Sequence, residues 1–194
     1  MVALPYVAWQ PDPPEFACRL RRLEGFEDDD ELADGVPWAD RFPPEARLSM
    51  NPDAPYDSLL TDTLYNLYGF IIVSARERTF IEKSNPAHVE FLPMNNFDHK
   101  NKLVRQAYYI LHPVKPINCI DLDNSKFKWS DLVEELIDEY SSLRLDPSRI
   151  DPDRLIFRLR YLRDVIILRR QLSEALDSAG FTGNGWVEID ALTS

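Results

Sequence analysis

Four sets of residues in this sequence have types and spacings that chemistry can use. His112 and Cys119 lie seven positions apart. Across a hairpin they could meet as an imidazole base and a thiol nucleophile. The plainer reading is a buried thiol beside a loop histidine. Asp121-Leu122-Asp123 places two hard carboxylates on one face of a strand. That pattern holds Mg²⁺ or Mn²⁺ in sugar-transferring enzymes and would make the chain a metal-dependent transferase or hydrolase. The favoured alternative is a strand-end turn around Asp123-Asn124. Six arginines fall between Arg154 and Arg170: Arg154, Arg158, Arg160, Arg163, Arg169 and Arg170. They could form an anion site, or simply pair with Asp131, Glu134, Glu135, Asp138 and Glu139 just upstream, which is the favoured reading.

The fourth set is the acidic run Glu27-Asp28-Asp29-Asp30-Glu31, followed by Asp34 and Trp38. Carboxylates on a loop can imitate a phosphate backbone and steer the chain to a basic cleft such as that of a nuclease. A tryptophan beside them suits an aromatic anchor. Asp28, Asp29, Asp30, Glu31, Asp34 and Trp38 are therefore the candidate partner interface, against the plainer reading of a solvated loop. There is no Gly-x-Ser-x-Gly, no glycine-rich phosphate loop and no His-Glu-x-x-His. No residue is assigned as catalytic, and no cofactor or metal is expected.

Whole-chain numbers narrow the class. With 194 residues, 44% apolar and 28% charged, the chain is long enough for one sizeable globular domain. A net charge of −11 argues against nucleic-acid binding, which needs a lysine- and arginine-rich surface. The same charge permits a basic protein partner, although it also simply favours solubility. No apolar run approaches the roughly 20 residues of a membrane span. Met1 to Tyr6 lacks a basic segment followed by an apolar one, so no signal peptide is expected. Two distant cysteines, Cys18 and Cys119, fit a reducing cytoplasm.

The elements that must position these groups are read from periodicity. Ile71-Ile72-Val73 suits a buried strand. Ser74 with Glu77 three residues on is a capping-box signature for a helix that Asn85-Pro86 ends. Val89 to Pro93 follows as a strand. Near the C-terminus, Val165 to Leu168, Arg170 to Asp177, Gly180 and Val187 to Ile189 have the same order. Ala75 precedes Arg170 by 95 residues, and Val89 precedes Val187 by 98. These are either a duplicated unit or two ordinary pieces that resemble each other by chance.

Helical spacing also predicts helices from Asp57 or Ser58 to Gly69 and over Asp131–Tyr140. Strands are predicted over Leu103–Leu111, Ile117–Leu122 and Leu155–Tyr161. In the last, Arg158 and Arg160 fall on a polar face. Nine of the fifteen prolines lie in residues 1–56, which read as a loop-rich acidic arm with short strands at best. The expected fold is α+β. It has a mixed, mostly antiparallel sheet with packed helices, two similar strand-helix-strand units (near 70–93 and 165–189) and the N-terminal arm. It is expected to form a single domain over 1–194, with its body at 57–194.

Ile71-Ile72-Val73-Ser74-Ala75-Arg76, followed by Val89-Glu90-Phe91-Leu92-Pro93, resembles the signature of a bacterial family grouped as immunity family eleven of polymorphic toxin systems. The similarity continues through Tyr108-Tyr109-Ile110-Leu111, Ile120 to Ser125 and Ile156 to Arg160. It ends in the Leu172 to Glu188 segment. Gly35-Val36-Pro37-Trp38 is similar to an upstream element of the same family. Glu77 and Phe80 depart from the leucine and small residue usual in the first helix, and Pro113 and Pro116 interrupt the region after the tyrosine pair. The resemblance implies a small cytoplasmic protein that binds and neutralises a cognate toxin without catalysis. It supplies no catalytic residues.

Overall fold

The computed structural model describes residues 5–193. In chain order the elements are β1 (Tyr6–Trp9), β2 (Arg19–Glu24), α1 (Asp29–Ala33), β3 (Arg47–Met50), β4 (Thr63–Asn66), β5 (Ile71–Ser74), α2 (Ala75–Glu82) and β6 (Val89–Phe97). They continue with β7 (Tyr108–Pro113), β8 (Lys126–Trp129), β9 (Ile137–Ser142), β10 (Ile156–Leu159), β11 (Leu162–Arg169), α3 (Arg170–Ser178) and β12 (Trp186–Glu188). Six strands close a barrel in the order β2-β3-β6-β7-β5-β4. Four form a sheet in the order β10-β11-β1-β12, and β8 with β9 forms a separate hairpin.

The protein is thus mainly β, with 36% of residues in strands and 14% in helices. That corrects the expectation of a mixed sheet covered by packed helices. Closure of the barrel leaves no exposed edge strands in that sheet. It relies on two parallel pairs, β2 with β4 and β3 with β6.

The two strand-helix-strand segments share a topology. β5 and β6 both lie antiparallel to β7, one on each side. β11 and β12 both lie antiparallel to β1, one on each side. In each unit the two strands joined by the helix are therefore parallel, with one foreign strand between them. The inserted strand follows the first unit in sequence, whereas the second unit takes its inserted strand from the N-terminus. The apolar runs explain why these strands sit in sheet centres. Ile72 points into the barrel while Ile71 and Val73 face outward, and all three are buried. Ile167 and the pair Ile166 and Leu168 divide in the same way between two cores.

The middle core lies where the barrel and the four-stranded sheet meet. It gathers Val7, Trp9, Ile71, Val73, Leu111, Ile166 and Leu168 with Ile81 of α2 and Leu172 and Leu176 of α3.

Five local expectations fail for identifiable reasons. From residue 5 onward the expected arm is part of the body, because β1 is an interior strand of its sheet and β2 and β3 are barrel staves. Its prolines fall outside the strands and leave room for strands of four to six residues. No helix forms between Asp57 and Gly69. Thr63 and Leu64 pair with β5 instead. Asn66 then builds a turn by accepting from the Tyr68 and Phe70 N–H groups and donating to the Phe70 carbonyl.

No helix forms over Asp131–Tyr140 either. Glu135 adopts φ +58°, which breaks a right-handed helix, and Ile137 donates to the Tyr161 carbonyl. The segment is the turn and second strand of the β8–β9 hairpin. Ile117–Leu122 makes only single bridges, Ile117 to Leu159 and Ile120 to Leu145. Finally, β10 is buried on both faces, so Arg158 lies inside at 5% exposure. There its guanidinium donates to the Arg163 carbonyl, and burial pushes its pKa down to about 10.

Candidate binding surface

The acidic run forms the short helix α1 and the turn after it. Asp28 precedes the helix without a side-chain cap, and Asp28 and Asp30 are exposed. The side chain of Asp29 lies outside the described residues. Leu32 is 1% exposed and pins the helix to the barrel core. Glu31 pairs with Arg41 at 2.6 Å, and Asp34 pairs with Arg163 at 2.5 Å. These pairs are exposed enough that each contributes under about 1 kcal/mol.

Trp38, expected as an exposed aromatic anchor, is a core residue. Its ring is 5% exposed and packs edge-on against Phe26 with centroids 5.0 Å apart. The Arg41 guanidinium covers it at 3.7 Å. The Trp38 and Ala39 N–H groups both donate to Glu90 Oε2, at 2.7 and 3.1 Å. Trp38 therefore anchors the acidic segment to its own barrel.

A cleft of about 360 Å³ opens beside α1. Asp34 and Ala33 line one side, and Glu134, Glu135 and Leu136 of the hairpin turn line another, with Arg160 and Arg163 between. Arg160 pairs with Glu135 at 2.8 Å. Among the described residues, the arginine cluster meets the upstream acids through Arg160 and Glu135. Arg154 donates instead to the Val114 and Lys115 carbonyls, Arg169 to those of Arg154 and Asp151, and Arg170 to Glu188.

Asp121 and His112, the residues of the catalytic alternatives, are held by local partners. The Asp121 carboxylate accepts from the N–H and side-chain amide of Asn124, a closed turn, and Asp123 is exposed. No cluster of three or more metal-ligating side chains occurs among the described residues. His112 Nε2 lies 2.8 Å from the Val36 carbonyl. Burial pushes the Cys119 thiol up to about 12, and the Cys18 thiol likewise. Neither is a thiolate at neutral pH, so neither is primed as a nucleophile.

One polar cluster escaped the sequence reading. Glu77, in the first turn of α2, is 0% exposed. Its Oε1 accepts from Asn184 Nδ2 at 2.8 Å, and its Oε2 lies 2.9 Å from Thr63 Oγ1. The same Thr63 hydroxyl lies 2.8 Å from Asn184 Oδ1. Burial pushes the Glu77 pKa up to about 7, with the nearby Asp62 adding to the rise and Asn184, Thr63 and Arg76 opposing it.

Next to this ring, burial pushes Asp62 up. The Arg76 guanidinium, the Ser74 hydroxyl and the Thr182 N–H outweigh that and hold it below the usual carboxylate range. The cluster stitches the barrel to the loop after α3. Its sequence signals were the capping-box place of Glu77 behind Ser74, whose hydroxyl accepts from the Glu77 N–H at 3.1 Å, and the departures at Glu77 and Phe80: Glu77 finds Asn184, and Phe80 packs edge-on against Phe181 at 5.2 Å.

No helix is long and apolar enough to cross a membrane among the described residues. The family model for an immunity protein family (Imm11) matches residues 8–191, nearly the whole chain. No curated protein matches the chain significantly.

Proposed function

We propose, because this chain belongs to the immunity protein family (Imm11), that it binds a cognate bacterial toxin and neutralises it by stoichiometric contact, without catalysis. The family match over nearly the full length carries this reading. The net charge of −11 supports a basic partner, and a nuclease with a cationic substrate cleft is the toxin class such a surface suits. The exposed carboxylates of Asp28 and Asp30, together with Glu31 and Asp34, would meet that partner first. The encounter belongs in the cytoplasm, where a nuclease toxin finds its substrate.

The direct test is co-expression with the toxin encoded beside this chain's gene. Cells carrying both should grow, and cells carrying the toxin alone should not. Killing that proceeds equally with and without this protein overturns the proposal. The acidic face has its own test. Asp34→Asn breaks only the exposed pair with Arg163, so stability should fall by less than about 1 kcal/mol. Combined with Asp30→Asn and Glu31→Gln, it should slow association with the toxin severalfold at low salt and leave the melting temperature within a few degrees. An unchanged association rate would remove α1 from the contact surface.

A further inference from the structure

We infer that the turn of the β8–β9 hairpin is the principal docking element of this protein. It fits a partner surface that offers an apolar pocket ringed by lysine and arginine. This deepens the toxin-binding reading and rests on it.

The hairpin stands apart from both large sheets as its own two-stranded unit. Its inner residues, Phe127, Ile137 and Tyr140, pack on the core behind the four-stranded sheet. Its turn does the opposite. Leu132 is 93% exposed and Val133 42%, side by side in sequence, with Trp129 at 41% just before them. An exposed leucine alone is ordinary. Two adjacent aliphatic residues on an acid-rich turn of seven residues, with a half-exposed indole at the end of the strand before it, are a different matter, because Leu132 adds almost nothing to the isolated chain's core.

The turn is also held in shape. Ser130 Oγ accepts from the Leu132 and Val133 N–H groups, each at 3.2 Å, and the Ser130 N–H donates to the Leu136 carbonyl at 2.7 Å. Glu135, in its left-handed conformation, is tied to Arg160 at 2.8 Å, and Trp129 packs edge-on against Tyr161 at 5.3 Å. A rigid projection loses less entropy on binding than a mobile one.

Charge selects the occupant. Residues 131–139 contain Asp131, Glu134, Glu135, Asp138 and Glu139 and no basic residue, and of these Asp131 pairs with Lys128 at 3.4 Å and Glu135 with Arg160. Across the adjoining cleft lies Asp34 of the acidic segment. An anionic membrane surface or a nucleic acid would be repelled by this ring. A basic protein surface is attracted by it, while Leu132 and Val133 enter an apolar depression at the centre of the contact. The hairpin turn and α1 then act as two sides of one acidic face.

The test measures binding of the purified full chain to a catalytically inactivated form of the toxin encoded beside its gene. Leu132→Arg and Leu132→Arg with Val133→Arg should each weaken the dissociation constant at least about tenfold, chiefly through faster dissociation. Their melting temperatures should match the wild type, since both residues already contact water. Leu103→Arg, which charges another exposed leucine (57%) on the β6–β7 connection, should bind as the wild type does. Wild-type affinity for the Leu132 variants, or equal weakening by Leu103→Arg, overturns the hairpin assignment while leaving toxin binding intact. A wild type that does not bind overturns both. A wild-type dimer in sedimentation that Leu132→Arg dissociates would assign the turn to a second copy of this chain and overturn the toxin assignment.

Discussion

Glu77→Gln should stabilise the protein by about 3 kcal/mol at pH 8 and leave it nearly unchanged below pH 4.5. The figure follows from a carboxyl that titrates at about 7 in the folded chain, against an ordinary value of 4.5, at roughly 1.4 kcal/mol per pH unit. The sign is fixed by which state holds the proton. Between pH 4.5 and 7 the folded protein keeps a proton on Glu77 that the unfolded chain has released. Stability from this group is therefore complete below pH 4.5, falls as pH rises through that window, and is lost above about 7. Glutamine cannot ionise, so the variant escapes the fall.

The geometry says why the neutral acid fits. The Thr63 hydroxyl has one proton and two acceptors within reach, Glu77 Oε2 at 2.9 Å and Asn184 Oδ1 at 2.8 Å. With Glu77 ionised, one acceptor is left without a donor inside a dry site. With Glu77 protonated the ring closes. The acid donates to Thr63 Oγ1, Thr63 donates to Asn184 Oδ1, and Asn184 Nδ2 donates to Glu77 Oε1. Glutamine makes the same ring with its amide. Urea denaturation of both proteins at pH 5 and pH 8 tests this. A difference between variant and wild type that is the same at the two pH values would show that Glu77 does not titrate in this window.

The legibility of the fold follows burial. Ile71-Ile72-Val73 and Val165 to Leu168 were readable as strands because both their faces are dry, so every residue in the run is apolar. Their partners were not readable. The strand inserted into each unit comes from elsewhere in the chain, and nothing in β1 marks it for a place between β11 and β12.

The false helices arose from a coincidence of spacing. Leu60, Leu64 and Leu67 recur as on a helix, yet only Leu64 is fully buried, and Leu67 is 62% exposed at a turn. Leu132 and Val133 fill a helical stripe on paper and face water in the structure. The acidic segment was legible as acidic and exposed. The destination of Trp38 was not, because a tryptophan beside an acidic run reads the same whether it packs on a partner or on its own barrel. Glu77 was visible as the capping-box partner of Ser74 and as a departure from its family, but not as a buried acid, because its partner Asn184 lies 107 residues away.

Gly183→Ala should cost about 3 kcal/mol or more and should also erase most of the pH dependence that Glu77 confers. Gly183 sits at φ +84°, where a side chain costs about 1–2 kcal/mol, and its missing Cβ would collide with the Thr63 carbonyl and come within 2.8 Å of the Thr61 hydroxyl. Overpacking against backbone typically adds about 1–3 kcal/mol, because neither strand β4 nor the loop can yield without breaking hydrogen bonds. The bonds at stake are Thr63 N–H to the Thr182 carbonyl at 2.9 Å and Asp12 N–H to the Gly183 carbonyl at 3.0 Å. The loop that moves carries Asn184.

Once Asn184 withdraws, the ring opens, water reaches Glu77, and its pKa returns toward the ordinary carboxylate value. The two substitutions should therefore be non-additive. In the Gly183→Ala background, Glu77→Gln should gain well under half of what it gains in the wild type at pH 8. Full additivity would mean that the loop accommodates the methyl without moving Asn184, and that the hold of the C-terminal unit on the barrel does not run through this ring.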